Sequence, residues 1–493
     1  MKKYITALCM MGILALGTLG AAVFGHSAEL EYTKLVAAVP FTGIPREDVE
    51  MVQEKINEIT QNELGITVEF PEFSTSGQYF EKAMLMLSTP EQLDIMMAGF
   101  GAFMDCYVDG KLLPLDRLLE QYGQDIARQV GEEQIHSCDI HGVLYGIPVN
   151  GDYTQQRNCY VMRKDILEKY GLDPYGIRTM EDLEHVFKTV REKEPEITVL
   201  SSGAEPGNTL LSANLDFLDT SSGISLTVCE EDGRLVSAFE SEEYKSALQR
   251  VHQWYLKGYL NEDVFGVAED VYSRVKRGEL FAYTERKAAW SGEHENFKIG
   301  DMEMVRVSPE PSSLMHRGYA SMPYVITSNS ASPEASMKLL NLFYSNPEIE
   351  NLLCYGVEGV HYKKTKDGHI THAQKEREDP FLWNNYNMPN QYISHVWEGN
   401  DLDFWEQVKT KNESAGKGPK MGFNFDYSSV AAEYARVMDI YHDYRWILES
   451  GLDNPEEGGK KMMDEMKSSG LDLIIREEQK QFDNWRKRNG KGE

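Results

Sequence analysis

Cysteine is scarce in this chain: its 493 residues carry 6, namely Cys9, Cys106, Cys138, Cys159, Cys229 and Cys354. Five lie beyond the N-terminal apolar run, an odd and widely scattered set. That excludes a disulfide framework and reads most of them as small buried side chains. Positive charge is also short, with 50 Lys and Arg against 79 Asp and Glu, a net charge of −29. Binding of nucleic acid or an anionic membrane through the main body is therefore excluded. No Gly-Lys phosphate loop, Gly-x-Ser-x-Gly elbow or His-Glu-x-x-His helix occurs, so none of those catalytic or cofactor classes is indicated. His136, Cys138 and His141 stand close together, but no second cluster completes a metal-ligand set. They read as a surface turn, and neither metal nor cofactor is expected. Carboxylate pairs are unavoidable in so acidic a chain and carry little weight for glycosidase chemistry.

What is present is a globular composition, 41% hydrophobic and 11% aromatic, in a chain too long for one core. Lys2 and Lys3 precede an apolar run from Ile5 to Phe24, followed by Gly25, Ser27 and Ala28. That order is an export signal or an uncleaved anchor over residues 1–28, placing the protein outside the cell, at its surface or in the periplasm. Removal of the signal takes the charge from −29 to −31, since −29 − 2 = −31.

Local patterns then alternate. Leu35 to Val39 reads as a buried strand and Val49, Val52, Ile56 and Ile59 as one helix face. Ile66, Val68 and Phe70 form a strand, Phe80, Met84 and Leu87 a helix stripe, and Leu93 to Ala98 a third strand. Such alternation predicts an α/β fold with a parallel sheet and helices on both faces. Ligands bind beyond the carboxyl ends of such strands, where Phe41 and Phe100 fall. Thr179 and Asp182 make a capping box for a helix striped by Leu183, Val186, Phe187 and Val190. Ser332 and Pro333 open a helix carrying Leu339, Leu340 and Phe343, Asn346-Pro347 closes it, and Lys366-Asp367-Gly368 reads as a hairpin turn.

Several segments carry a resemblance. GVLYGIP (Gly142 to Pro148), RKDIL (Arg163 to Leu167) with Tyr170-Gly171, SPEASMKLLNLFYSNPEIENLLCYGVEGVHY (Ser332 to Tyr362), and GFNFD (Gly422 to Asp426) occur in this order. The chain thereby resembles the extracellular solute-binding proteins of bacterial ABC importers, in the sugar-importer branch with a C-terminal extension. The resemblance implies two α/β lobes built from discontinuous segments, and a helical extension. Lobe I is expected from 29–150 and 283–328, lobe II from 151–282 and 329–420, and the extension, packed on lobe II, from 421–493. It also implies a monomer that is not an enzyme, capturing a sugar or oligosaccharide by hinge closure and delivering it to membrane permease subunits.

Aromatic faces stack on sugar rings, and carboxylates and amides bond the hydroxyls. Trp383, Trp397, Tyr386, Trp290 and Tyr153 are the candidate platform, beside Phe41 and Phe100, with Asp152, Glu398 and Asn400 as polar partners. Each aromatic, taken singly, reads first as core. Two other functions stay open: an exported glycosidase or lyase, needing two carboxylates at catalytic spacing, and a receptor for peptides or amino acids, needing a basic clamp.

Overall fold

The computed structural model describes residues 32–73, 76–99, 101–201, 210–211, 215, 224–260, 271–288, 296–309, 315–316, 318–374, 381 and 385–490. The expected export segment lies outside them. A first sheet runs in the order Ile66–Glu69, Thr33–Ala38, Ile95–Met97, Pro323–Ile326, Ile147–Pro148, with the first three strands parallel and the last two antiparallel to their neighbours. Leu35, Ala37 and Ala38 are fully buried, as a central strand covered on both faces requires.

The edge strand Ile66–Glu69 is closed by its neighbouring helix Arg46–Leu64. Asn57 accepts from Val68 N (2.7 Å) and donates to Val68 O (3.0 Å), Gln53 accepts from Phe70 N, and Thr60 donates to Ile66 O. Backbone groups that an edge would leave open are satisfied in this way. Asp94, fully buried, ties the sheet to the return segment: its carboxylate accepts from Val36 N (2.8 Å), Ser330 Oγ (2.7 Å) and Ala331 N (2.7 Å).

The second sheet has the order Asn296–Ile299, Met302–Val307, Thr154–Arg163, Leu280–Ala288, Thr198–Ser201, with Met315–His316 pairing Thr154–Arg163 separately. The strand at 280–288 was expected to return the chain to the first lobe from residue 283. It instead lies antiparallel to Thr154–Arg163 in the second sheet, Tyr283 opposite Val161, and the first lobe is regained only at Pro323–Ile326. A run of buried apolar residues fits a central strand of either sheet, so periodicity alone could not place it.

The segment assigned to lobe II from residue 329 needs the opposite correction. Helices Pro333–Ser345 and Pro347–Tyr355 bury Leu339, Leu340, Phe343, Ile349 and Leu353 in the first core, which extends through Tyr362 and Ile370 to Phe381 and Met388. Asn346 caps the second of these helices, accepting from Glu348 N and Ile349 N. Ser332 precedes the first without a side-chain cap bond. The Thr179–Asp182 capping box is present as the spacing predicts.

The second core is built on Phe187, Tyr160, Trp254 and Tyr259, meeting edge to face. Helices Ala431–Glu449, Pro455–Ser468 and Leu471–Arg488 pack into it through Val437, Tyr441, Leu448, Met462, Met466, Leu471 and Ile474. Cys106, Cys138, Cys159 and Cys354 are buried free thiols, and Cys229 is half-buried. Among the described residues, no helix is long and apolar enough to cross a membrane.

Candidate functional site

The chain passes between the lobes at 148–154, and again at 318–323 and 414–430. A ring cluster joins these crossings. Tyr153 stacks on His316 (5.4 Å, 12°), and Tyr319 meets both edge-on, at 5.0 Å from Tyr153 and 4.3 Å from His316. His316 N donates to Gly416 O (3.0 Å) and its Nδ1 accepts from Gly318 N (3.0 Å). Tyr153 O–H donates to Val149 O, and Asn412 Oδ1 accepts from Tyr153 N (3.0 Å). A second network pins the first crossing from below. Asn150 Nδ2 donates to Asn390 Oδ1 (3.0 Å), Asn390 N donates to the buried Glu350 carboxyl (3.0 Å), and the Tyr344 hydroxyl lies 3.0 Å from Pro148 O. Burial raises Glu350 to about 8, far above an ordinary carboxyl.

Against these crossings lies a cavity of about 410 Å³ between the lobes. The first lobe lends Gly101, Met104 and Asp105, next to the carboxyl end of strand Ile95–Met97, where an α/β sheet presents its ligand loops. The second lobe lends Ser225 to Cys229, Glu243 and His316, and the crossing at 318–323 lends Ser321. The remaining wall is C-terminal: Lys420, Phe423, Asn424, Phe425, Tyr427 and Tyr434.

This last wall is fastened to both lobes. Tyr427 O–H donates to Asp105, Asn424 Nδ2 donates to Ser137 O (2.8 Å) and Asp139 O (3.1 Å), and His141 Nε2 lies 2.9 Å from Asp426 Oδ2. On the other side, Lys420 Nζ bonds Glu478 (2.6 Å), Thr227 Oγ1 (2.9 Å) and Ser225 Oγ (3.0 Å). Tyr427 stacks flat on Tyr434, with centroids 4.2 Å apart. Burial raises the Asp105 carboxyl and the Tyr427 bond opposes it in part. Burial would also raise Asp426, yet hydrogen bonds from Ser428 and His141 hold it below the usual carboxylate range. Ring faces beside carboxylate, amide and hydroxyl groups suit a polyhydroxylated ligand.

The residues chosen from the sequence stand mostly elsewhere. Phe41 is buried in the first core against Phe70 and Phe381. Tyr153 is one layer behind the cavity, under His316. Asp152 caps Thr154, whose N and Oγ1 it accepts (2.9 and 2.7 Å). Trp397 packs on Tyr355 and His372. Glu398 and Asn400 are exposed, and Asn400 borders a separate recess of about 180 Å³. Tyr386 is 39% exposed, its carbonyl accepting from Gln391. Phe100, Trp290 and Trp383 lie outside the described residues. None of the described candidates lines the interlobe cavity. Aromatics fill cores more often than clefts, and that competing use took most of them. What sequence reasoning missed is Asp105, Ser321 and the C-terminal wall; the Gly422 to Asp426 motif was the available signal. His136 and His141 pair with Asp139 and Asp426, and no group of three metal-ligating side chains occurs among the described residues.

A hinged, two-lobed fold enclosing a cavity between sheets defines a binding protein of the type that closes around a solute. The family model for the bacterial extracellular solute-binding proteins matches residues 47–349, more than half of the chain, and the chain belongs to that family. A domain of unknown function (DUF3502) matches 419–487. A carbohydrate ABC transporter substrate-binding protein of Streptococcus pneumoniae is 24% identical over 442 residues, 87% of each chain. The polygalacturonan/rhamnogalacturonan-binding protein of Bacillus subtilis is 24% identical over 260 residues, 49% of this chain and 50% of that one. In structure, the N-glycan transport solute binding protein of Streptococcus pneumoniae in complex with Man1GlcNAc superposes with a TM-score of 0.75 at 20% identity, covering 92% of this chain and all (100%) of that one. The alginate-binding protein AlgQ2 superposes at 0.63 with 15% identity, covering 92% and 98%.

Proposed function

We propose that this protein is the substrate-capturing component of an ABC importer, and that it binds a sugar or oligosaccharide between its lobes. The observation that carries the reading is the interlobe cavity, whose walls come from the first lobe, the second lobe and the C-terminal region at once. A ligand touching all three favours the closed arrangement because only there are its contacts complete, so binding shifts the population toward closure. The closed form is then handed to permease subunits in the membrane, the chain acting outside the cell as a monomer. No chemical step is required.

Calorimetric melting of the chain from Glu29 onward, against mono- and oligosaccharides, tests this. A ligand present at a hundred times its dissociation constant stabilises the folded state by about 2.7 kcal/mol. Recovery of the sugar unchanged supports capture. Its consumption, abolished by one carboxylate substitution, would establish the exported glycosidase or lyase instead, and a response to peptides alone would overturn the sugar.

A further inference from the structure

The charges around the cavity are one-sided. Asp105, Glu243 and Glu478 line it, one from the first lobe, one from the second and one from the C-terminal region. Among the described lining residues, Lys420 is the sole Lys or Arg. An ammonium has three donors, and those of Lys420 are met by Glu478, Thr227 and Ser225 at 2.6, 2.9 and 3.0 Å. The Glu478 oxygen that Lys420 bonds also accepts from Thr227 Oγ1 (2.8 Å), so the cation is held inside a closed network rather than presented to a ligand. The His316 ring accepts at Nδ1 from a backbone N–H, so its proton sits on Nε2 and the ring stands at the wall as a neutral donor rather than a cation. The chain as a whole carries −29.

Groups that read hydroxyls are nonetheless in place. Asp105 accepts from Tyr427, and a carboxylate with two oxygens retains further lone pairs. Ser321 is buried at the cavity wall, and its Oγ has no hydrogen-bond partner among the described residues. A buried hydroxyl of that kind is costly unless something bonds it. The Tyr427–Tyr434 stack supplies the apolar face beside them.

We propose that this cavity selects uncharged saccharides over acidic ones such as uronic-acid oligomers, and that Asp105 and Glu243 are the specificity-determining carboxylates. A uronate carboxylate entering here meets like charge from Asp105 and Glu243, while Lys420 and Glu478 are engaged with each other, whereas a neutral sugar hydroxyl donates to those two carboxylates. The inference rests on the capture reading above, and it divides sugar ligands that reading leaves together.

Isothermal titration of the chain from Glu29 onward, with neutral gluco- and manno-oligosaccharides and with oligogalacturonates of matched length, at low and high salt, is the test. The expected result is binding of a neutral series at least about tenfold tighter than the uronates, a gap that narrows as salt rises. Asp105→Asn and Glu243→Gln should each narrow the gap by about threefold or more by admitting the uronate. Glu243 is exposed at a helix start, so its variant folds even if Asp105→Asn does not. Equal or tighter uronate binding overturns the selectivity while leaving capture of a sugar standing. An unchanged preference in both variants overturns the assignment to these carboxylates. Binding of neither series overturns the inference and the capture reading together.

Discussion

Glu350 allows the hinge support to be tested through pH. Its side chain is fully buried in the first core, where Oε1 accepts from Asn390 N (3.0 Å) and from the Cys354 thiol (3.4 Å). Burial raises it from 4.5 to about 8, so it is protonated in the folded protein at neutral pH. The unfolded chain titrates near the ordinary value and binds fewer protons than the folded one between these limits. Stability linked to Glu350 is therefore fully present below about pH 4.5, falls as pH rises, and is lost once pH passes about 8. The span from 4.5 to about 8, at ~1.4 kcal/mol per unit, corresponds to a ceiling of a few kcal/mol. Glu350→Gln keeps the shape and removes the titration. It should leave stability near pH 5 within ~1 kcal/mol of the parent and exceed the parent at pH 8, flattening the profile. Denaturant unfolding at pH 5, 6.5 and 8 reads this directly. A parent slope that survives unchanged in Glu350→Gln would refute the reasoning.

Other consequences are more local. Gly356 has φ +76, and a Cβ there would meet His361 Nδ1 at 2.5 Å; Gly356→Ala should cost ~2 kcal/mol or more, measured by thermal melting. Thr179→Ala removes a capping box from helix Met180–Lys193 and should cost ~1 kcal/mol in the same assay. Deleting 421–493 removes Val437, Tyr441, Met462, Met466, Leu471 and Ile474 from the second core. At ~1.5–3 kcal/mol per buried side chain the loss equals a whole domain's stability, so the truncated chain should show no cooperative melting of the second lobe.

Much of the architecture was legible because it is local. The strand Leu35 to Val39, the helix face of Val49, Val52 and Ile56, and the Thr179–Asp182 box each depend on neighbours in sequence, and each is observed where the spacing predicts. Lobe membership is not local. Leu280 to Tyr283 and Tyr324 to Ile326 are similar buried apolar runs, yet one joins the second sheet and the other the first, because pairing partners decide.

The site was less legible for the same reason. Tyr427 reaches Asp105 across 322 positions and Asp426 reaches His141 across 285, and nothing in either stretch marks the other. Trp397 and Tyr153 carry the residue type of a sugar platform, but Trp397 is packed on Tyr355 and His372, and Tyr153 on His316 behind the cavity. A ring that fills a core and a ring that lines a cleft have the same letter and the same flanks.

Capture between the lobes requires lobe movement coupled to ligand. Glu81 on helix Ser76–Ser88 of the first lobe and Glu181 on helix Met180–Lys193 of the second are both exposed. Converted to cysteines in a chain from Glu29 with Cys229→Ser, they accept a spin-label pair. Distance distributions measured without and with a bound oligosaccharide should shift from a broad population to a single narrow one, with the sugar recovered intact. An unchanged distribution under saturating sugar would contradict capture by closure between the lobes.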